Sequence, residues 1–298
     1  MIETVYDVSR PSNPLALQHL LDGYSIEATP DQIAAADDLA SLLPSGTSVY
    51  IPFLPGSGFA NSARATDLVR RAGMRPVPHI AARSISSRTD LERGLRMLGG
   101  AGANALLLIA GDAANPAGPY TSTLDLLETG LLESHGFRQI GFAAHPEGHP
   151  VVDVATLDNA LRLKKAYSEE TGSDIWLVSQ FTFAADPIVG WLDRMALMDI
   201  DIPVRVGVPG PAKMRALLSF AVKCGIATSA RALMRRPEAA RLLLGRWTPA
   251  ELLSGLAAYR EFDRNPLLAG IHVFGFGGLR TSADWFNAHI NFDGQIAH

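Results

Sequence analysis

Short apolar runs that alternate with longer segments of helical periodicity are the feature that most constrains the fold of this chain. The runs are rich in β-branched and aliphatic residues, and the segments between them carry apolar residues at the spacing of one helix face. This alternation is typical of βα units and a parallel sheet. The eight predicted strands are Tyr24–Ala28, Ser48–Phe53, Arg75–Ala82, Ala105–Ala110, Gln139–Ala144, Ile175–Gln180, Val204–Val208 and Ile271–Phe276.

Eight such strands favour an α/β fold of the (β/α)8 TIM-barrel type over a doubly wound open sheet, which is the alternative that the alternation leaves open. No composition shift, low-complexity segment or internal repeat marks a boundary, so we expect a single domain over residues 1–298, with 1–22 as an N-terminal extension. The helices predicted from periodicity and glycine stop signals include Asp31–Leu43, Arg88–Leu98 before Gly99-Gly100, and Leu157–Thr171 before Gly172.

The segment that precedes the last predicted strand is too long for a single helical crossover. It runs from Pro211 to Pro266, and Pro237 and Pro249 mark breaks within it. We therefore predict extra helices before the last strand of the barrel.

Charge and cysteine content narrow the classes of protein that this chain can belong to. The 26 basic and 30 acidic side chains give a net charge of −4 without a basic cluster, so a nucleic-acid partner is not expected. The single cysteine, Cys224, excludes an intramolecular disulfide and a multi-thiolate metal site. The first ten residues are polar and acidic, and no apolar run reaches the roughly 18 residues that span a bilayer. We expect a cytoplasmic protein without a membrane partner.

Polar residues stand at the ends of several predicted strands, where barrels carry their catalytic groups. Glu27 ends the first strand, and apolar neighbours there could raise its pKa so that it donates a proton; the alternative is a solvated loop residue. Asp112 follows an apolar strand and Gly111, where a charge is costly unless a ligand uses it; the alternative is a cap for the next helix. Further polar residues on or near strand ends are His79, His145, His149, Gln180 and His272.

Two histidines flank a glutamate in the segment from His145 to His149. The zinc-protease arrangement needs both histidines on one helix face, and Pro146 and Gly148 disfavour a continuous helix there. We therefore expect no metal. The segment is either a rigid loop that presents two imidazoles to a polar ligand or a hydrogen-bonded turn.

Lysine is scarce, and two of the four lysines, Lys164 and Lys165, are adjacent on a predicted helix that also carries Asp158. They form either a solvated helix face or an anion site, such as one for a pyrophosphate. Two glycine-rich segments are weaker phosphate candidates. Gly56–Asn61 lacks the third glycine of the dinucleotide fingerprint and is more typical of a barrel loop, and Gly275–Gly278 either binds phosphate or forms a tight turn.

Five short segments, in this order, resemble the flavin-dependent methylenetetrahydrofolate reductase family, and they span about Tyr24 to Gly277. The resemblance implies a (β/α)8 barrel that reduces 5,10-methylenetetrahydrofolate to 5-methyltetrahydrofolate, or the reverse, in one-carbon metabolism and methionine biosynthesis. It implies FAD as cofactor, a folate substrate and NAD(P)H as partners, and a ping-pong mechanism; a homo-oligomer is left open. The segments are Pro78-His79-Ile80, Gly111-Asp112, Ala144–Pro150, Asp158–Lys165 and Ser179-Gln180-Phe181.

The resemblance also implies individual roles. Glu27 corresponds to the acid that protonates the folate and opens its methylene bridge, Asp112 to the carboxylate between pterin and flavin, and Gln180 to the side chain that contacts the pterin ring. Met214 takes the position of a phenylalanine that contacts folate and nicotinamide. The positions that line FAD are His79, Gly111, Ala143, His145, His149, Asp158, Lys164 and Lys165.

The chain departs from the family pattern at several cofactor positions. Ala110 replaces an arginine before Gly-Asp, which removes a fixed cation near the flavin phosphates. Leu161 replaces a polar contact, His145 replaces a tyrosine, and Tyr50-Ile51-Pro52 replaces a Thr-Tyr-Gly segment. Two other functions therefore remain open, a folate-barrel methyltransferase without redox chemistry and a non-redox folate-binding protein.

Overall fold

The computed structural model describes residues 13–36, 38–54, 56–224, 226–235, 245–263 and 267–290. The strands in these ranges are β1 (Ser25–Glu27), β2 (Ser48–Ile51), β3 (Arg75–Ala81), β4 (Ala105–Ile109), β5 (Gln139–Ala144), β6 (Asp174–Ser179), β7 (Val204–Pro209), β8 (Ala212–Lys213), β9 (Arg246–Trp247) and β10 (Leu268–Phe274). The helices are α1 (Pro14–Leu21), α2 (Pro30–Ala34), α3 (Leu39–Leu42), α4 (Gly58–Arg71), α5 (Arg88–Gly100), α6 (Thr123–Leu127), α7 (Leu131–Ser134), α8 (Val154–Thr171), α9 (Asp186–Leu197), α10 (Met214–Lys223), α11 (Ala227–Met234), α12 (Ala250–Asp263) and α13 (Leu279–Ile290), with a 3-10 turn at Ala82–Ser84.

Eight parallel strands close into a barrel in the order β1-β10-β7-β6-β5-β4-β3-β2, which confirms the predicted (β/α)8 fold. Each predicted strand overlaps one of these eight. The predicted extra helices before the last strand are present as α10, α11 and α12, and β8 and β9 form a separate antiparallel pair. Helix α12 begins directly after Pro249, and Pro237 lies outside the described residues. None of the helices described is both long enough and apolar enough to cross a bilayer.

The chain divides into two compact units, each assembled from distant parts of the sequence. The Glu27 unit comprises Ser25–Ala144 and Ala155–Val178, and the Gln180 unit comprises Met1–Tyr24, His145–Val154 and Ser179–His298. A single domain over 1–298 stays a prediction, and each unit is described by itself.

Strand register fixes which side chains share a row inside the Glu27 unit. Glu27 is paired with Tyr50, and His79 is paired with Leu107, which is paired in turn with Gly141. Tyr50 and Leu107 belong to one buried cluster with residues of β3 and β6, so the face that they share is the inner face of the barrel. A Cβ atom at Gly141 would lie 2.6 Å from the ring of Trp176 and 2.8 Å from Leu107. Gly141 therefore leaves the space that the indole occupies.

The single helix predicted over Asp31–Leu43 is wrong, because the structure has two short helices there, α2 and α3. Helix α2 begins in a capping box, in which the Thr29 hydroxyl accepts from the Gln32 N–H and the Gln32 side chain accepts from the Thr29 N–H. Helix α3 begins at the side chain of Asp38, which accepts from the Ala40 N–H. The second cap starts a new helix within the segment where one continuous helix was expected.

The helix predicted over Arg88–Leu98 with a stop at Gly99-Gly100 is observed as Arg88–Gly100, so the two glycines are its last two residues. Gly102, two residues beyond the end of α5, adopts a φ of +95°, and its N–H donates to the carbonyl oxygen of Gly99. The left-handed conformation, and not glycine content alone, marks the end. The predicted stop of α8 before Gly172 is confirmed, with a φ of +65° at Gly172.

Substitution of Gly141 by alanine tests the packing of the inner face. The new methyl group would press on Trp176 and Leu107, so we expect the free energy of unfolding to fall by about 1–3 kcal/mol. The matched control is Gly190→Ala, in the middle of α9, where a Cβ atom meets nothing within 4 Å and the free energy should rise by up to about 1 kcal/mol. Urea unfolding of both variants measures the difference, and equal effects would contradict the packing described.

Candidate functional site

Glu27 and His79 lie close together in the Glu27 unit. Glu27 is the last residue of β1, its side chain is 24% exposed, and its Oε2 lies 3.8 Å from Nε2 of His79, whose side chain is 6% exposed. That separation is too long for a hydrogen bond. The solvated-loop alternative for Glu27 is therefore not what the structure shows.

Both groups are largely removed from water, and neither has a strong charge partner. Burial raises the pKa of Glu27 from its ordinary value of 4.5 to about 7, and burial lowers the pKa of His79 to about 3. A carboxyl group and an imidazole with these values are both largely uncharged between about pH 3 and pH 7. Glu27 therefore keeps a proton that it can donate, and Nε2 of His79 is buried with no hydrogen-bond partner among the described residues.

Tyr50 lies beside this pair, and Trp176 is hydrogen-bonded to Tyr50. The sequence analysis assigned neither residue a catalytic or binding role. The indole N–H of Trp176 donates to the hydroxyl oxygen of Tyr50 at 2.8 Å. The Tyr50 ring meets His79 edge to face, with centroids 6.1 Å apart. Both aromatic residues stand in strands, where they resemble ordinary core. The signal that could have found them is the inward register of Tyr50 beside Glu27.

Asp112 is exposed and follows β4 in a loop. The helix-cap alternative is wrong, because the next helix, α6, is capped by Ser122. Gly111 turns the chain with a φ of +89°, and a Cβ there would lie 3.1 Å from that of Ala81. A residue with a side chain would be strained at this turn. The chain thus leaves β4 in a conformation that only glycine adopts readily, directly before the carboxylate.

The two adjacent lysines of α8 have different surroundings. Lys164 is 6% exposed, and its ammonium lies 4.8 Å from the centroid of the Phe142 ring. Phe142 points to the outer face of β5, opposite to Gly141. Burial lowers the pKa of Lys164 to about 8. Lys165 is 21% exposed, and its Nζ lies 3.9 Å from a carboxylate oxygen of Glu169. The solvated-face alternative is wrong for Lys164.

The remaining predicted cofactor residues of the Glu27 unit are Ala143 in β5, Gly111 after β4 and Asp158 in α8, all partly exposed. Leu161, which replaces a polar residue of the family pattern, is buried. The structure brings Glu27 and His79 into direct proximity, and the roles of the other residues stay predictions.

Gln180 in the Gln180 unit is oriented by its own backbone. Its Oε1 accepts from the Phe181 N–H at 3.0 Å, and its carbonyl oxygen accepts from the Ser179 hydroxyl at 2.9 Å. The Ser179 hydroxyl also accepts from the Gly207 N–H at 2.8 Å. Met214 begins α10 and is fully buried, so its predicted contact with substrate requires a rearrangement of that helix start. Gln180 is partly exposed.

His145 and His149 stack edge to face, with ring centroids 4.8 Å apart. The carboxylate of Glu147 between them accepts from the Thr182 hydroxyl at 2.9 Å, the Ser229 N–H at 2.8 Å and the Ser229 hydroxyl at 2.6 Å. Nδ1 of His149 accepts from a backbone N–H, that of Val151. The segment is a hydrogen-bonded loop, and among the described residues no group of three or more His, Cys, Asp or Glu side chains could hold a metal.

Comparisons with known proteins include a named relative of low sequence identity. No family model matches the chain. It is 25% identical over 194 residues to a protein named 5,10-methylenetetrahydrofolate reductase from Pectobacterium carotovorum subsp. carotovorum, in an alignment that covers 65% of this chain and 63% of that protein. The chain therefore spans less than two thirds of the length of this relative. A crystal structure of a conserved protein of unknown function from Enterococcus faecalis is similar with a TM-score of 0.40 and 8% identity, over 64% of this chain and 49% of the other.

The raised pKa of Glu27 predicts a pH-dependent stability. A carboxyl group that is easier to protonate when folded stabilises the protein fully below pH 4.5, and this contribution is lost as the pH rises through about 7. The difference in unfolding free energy between the wild type and Glu27→Gln should therefore shift by about 2–3 kcal/mol across this range, in favour of the variant at high pH. The exposed Glu170→Gln is the control and should give a constant difference. A constant difference for Glu27→Gln as well would refute the assignment.

The buried ammonium of Lys164 predicts that an apolar replacement stabilises the protein. Below pH 8 the lysine is charged in both the folded and the unfolded chain, and burial of the charge opposes folding. After allowance for the lost cation–π contact, Lys164→Met should raise the free energy of unfolding at pH 7 by roughly 1–3 kcal/mol, and the gain should disappear above pH 10.5. Lys165→Met should change it by less than about 0.5 kcal/mol. Denaturant unfolding measures both, and a loss of stability in Lys164→Met would contradict this account.

Proposed function

We propose that this chain is a flavin-dependent methylenetetrahydrofolate reductase, which reduces 5,10-methylenetetrahydrofolate to 5-methyltetrahydrofolate or catalyses the reverse. The observation that carries the proposal is the Glu27 carboxyl group, which lies in the barrel interior beside His79 and has a pKa of about 7. An acid of this kind is suited to proton donation at neutral pH. The distant similarity to a protein of that name supports the same chemistry.

The residues present fit FAD at some positions and depart from the family pattern at others. A buried imidazole nitrogen of His79 without a hydrogen-bond partner among the described residues suits a heteroaromatic cofactor with polar ring atoms. Partly exposed Lys165 suits a phosphate group, and Lys164, over the outer face of β5, does not. Ala110 and Leu161 supply no polar side chain. The residues proposed to hold FAD are His79, Gly111, Ala143, His145, His149, Asp158 and Lys165.

The chain's own residues supply the acid and the negative charge that stabilises the cationic intermediate. Glu27 donates its proton to the bridging nitrogen that leaves, the C–N bond breaks with its electron pair on that nitrogen, and the methylene carbon becomes part of an iminium cation on the folate. The carboxylate of Asp112 stabilises this cation, and the Gln180 amide binds the pterin. The chemistry that bound FAD would supply at this site is hydride transfer between NAD(P)H and the folate.

An absorption spectrum tests the proposal most directly. After incubation with FAD and removal of the unbound cofactor, we expect the protein to keep the band of oxidised flavin. This band should bleach on addition of 5-methyltetrahydrofolate, and separately on addition of NADH or NADPH. Failure to bind FAD, together with failure to oxidise methyltetrahydrofolate with any acceptor, would refute it. Methyl transfer to a corrinoid acceptor without flavin would indicate the methyltransferase alternative.

The two half-reactions separate the role of Glu27 from a general loss of structure. Glu27→Gln cannot protonate the bridging nitrogen, so reduction of methylenetetrahydrofolate by the reduced protein should slow by about 10²–10⁴-fold. Reduction of the flavin by NAD(P)H should change less than about twofold, because that step needs no acid. Stopped-flow spectroscopy measures both rates, with Glu170→Gln as the control. Equal slowing of both half-reactions would contradict the assigned role.

A further inference from the structure

The loop from Ala110 to Gly118 carries Asp112 and has little apolar surface of its own. Its sequence is AGDAANPAG, and most of its residues are exposed. A loop of this composition cannot be held by side-chain burial, so its conformation depends on hydrogen bonds to its neighbours.

Arg83, in the 3-10 turn after β3, makes hydrogen bonds to four points along this loop. Its backbone N–H donates to the Ala110 carbonyl at 2.9 Å, and its carbonyl accepts from the Ala117 N–H at 2.8 Å. Its guanidinium donates through Nε to the Ala113 carbonyl at 2.6 Å and through Nη2 to the Ala114 carbonyl at 2.7 Å. One residue thus contacts the loop near its start, in its middle and near its end.

The two side-chain bonds are the part of this arrangement that depends on arginine. A planar guanidinium reaches two neighbouring carbonyl oxygens at once, whereas a lysine ammonium acts as a single point charge. Hydrogen bonds from a charged donor are roughly twice as strong as those between neutral groups. The two backbone bonds persist in any substitution, so a side-chain variant loosens the middle of the loop and leaves its ends attached.

The two carbonyls that the guanidinium holds belong to the first two residues after Asp112. Gly111, on its other side, is fixed in a left-handed conformation against Ala81. The backbone of Asp112 is therefore held from both sides. We propose that Arg83 is the positioning residue for Asp112: it sets the place of this carboxylate opposite the cationic folate, which rests on the proposed function above.

Hydrogen–deuterium exchange tests the positioning separately from the chemistry. In Arg83→Met the loop amides should exchange faster than in the wild type, with an increase of at least tenfold at Ala117, whose N–H donates to the Arg83 carbonyl, and in Arg83→Lys the increase should be intermediate. The control is Arg88→Met, which removes one guanidinium bond to the Thr129 carbonyl of a different loop and should leave these amides unchanged. Unchanged exchange in Arg83→Met would overturn the proposal even if the protein is an active reductase.

A double-mutant cycle tests whether Arg83 acts through Asp112. Arg83→Met should lower kcat for methylenetetrahydrofolate about 10–100-fold with a smaller change in KM, since misplacement of a reacting group by about 1 Å has effects of this size. In an Asp112→Asn background the same substitution should have almost no further effect. An equal loss in both backgrounds would overturn the proposal. Faster exchange in a wild-type-like fold that shows no folate or flavin chemistry would instead overturn the proposed function.

Discussion

The exclusion of water from the inner face of the Glu27 unit is the constraint on which the candidate site depends. Trp176 fills the space that Gly141 leaves, and its N–H is bonded to the Tyr50 hydroxyl. The Tyr50 ring thus packs against His79 and limits the access of water to the pair, although the side chain of Glu27 stays 24% exposed. An ionised group there would lose hydration without gaining a partner, so both groups favour their uncharged forms. The raised pKa of Glu27 therefore comes from packing and not from a neighbouring charge.

The barrel strands could be predicted from the sequence because buried parallel strands are near-continuous apolar runs, which have few other interpretations. The helix ends could not be predicted as well, because they depend on local bonds that periodicity does not show. Asp38 could have continued a helix as an exposed residue, but its side chain caps a new one. Gly99 and Gly100 are the last two residues of α5, and the left-handed residue that follows the helix is Gly102.

The candidate site could be predicted in part. Glu27 stands out by its position at a strand end, because position in a barrel is readable from the strand pattern alone. Trp176 could not be identified as a site residue from the sequence. Its hydrogen-bond partner Tyr50 lies 126 residues away, and both side chains resemble core residues. Lys164 and Lys165 cannot be distinguished by residue type. One step along a helix turns the side chain by about 100°, so the Lys164 ammonium lies under α8 and the Lys165 ammonium stays partly in water.

Glu147 shows how the helices inserted before the last strand are coupled to the rest of the Gln180 unit. Its carboxylate accepts one hydrogen bond from Thr182 and two from Ser229 in α11. Two segments that are distant from Glu147 in sequence are thus bonded to the same side chain. Removal of either donor residue would leave a partly buried carboxylate with fewer bonds than it has now. The histidine segment and the inserted helices are therefore not exchangeable modules. Loss of the carboxylate at position 147 would therefore release the Thr182 and Ser229 segments together.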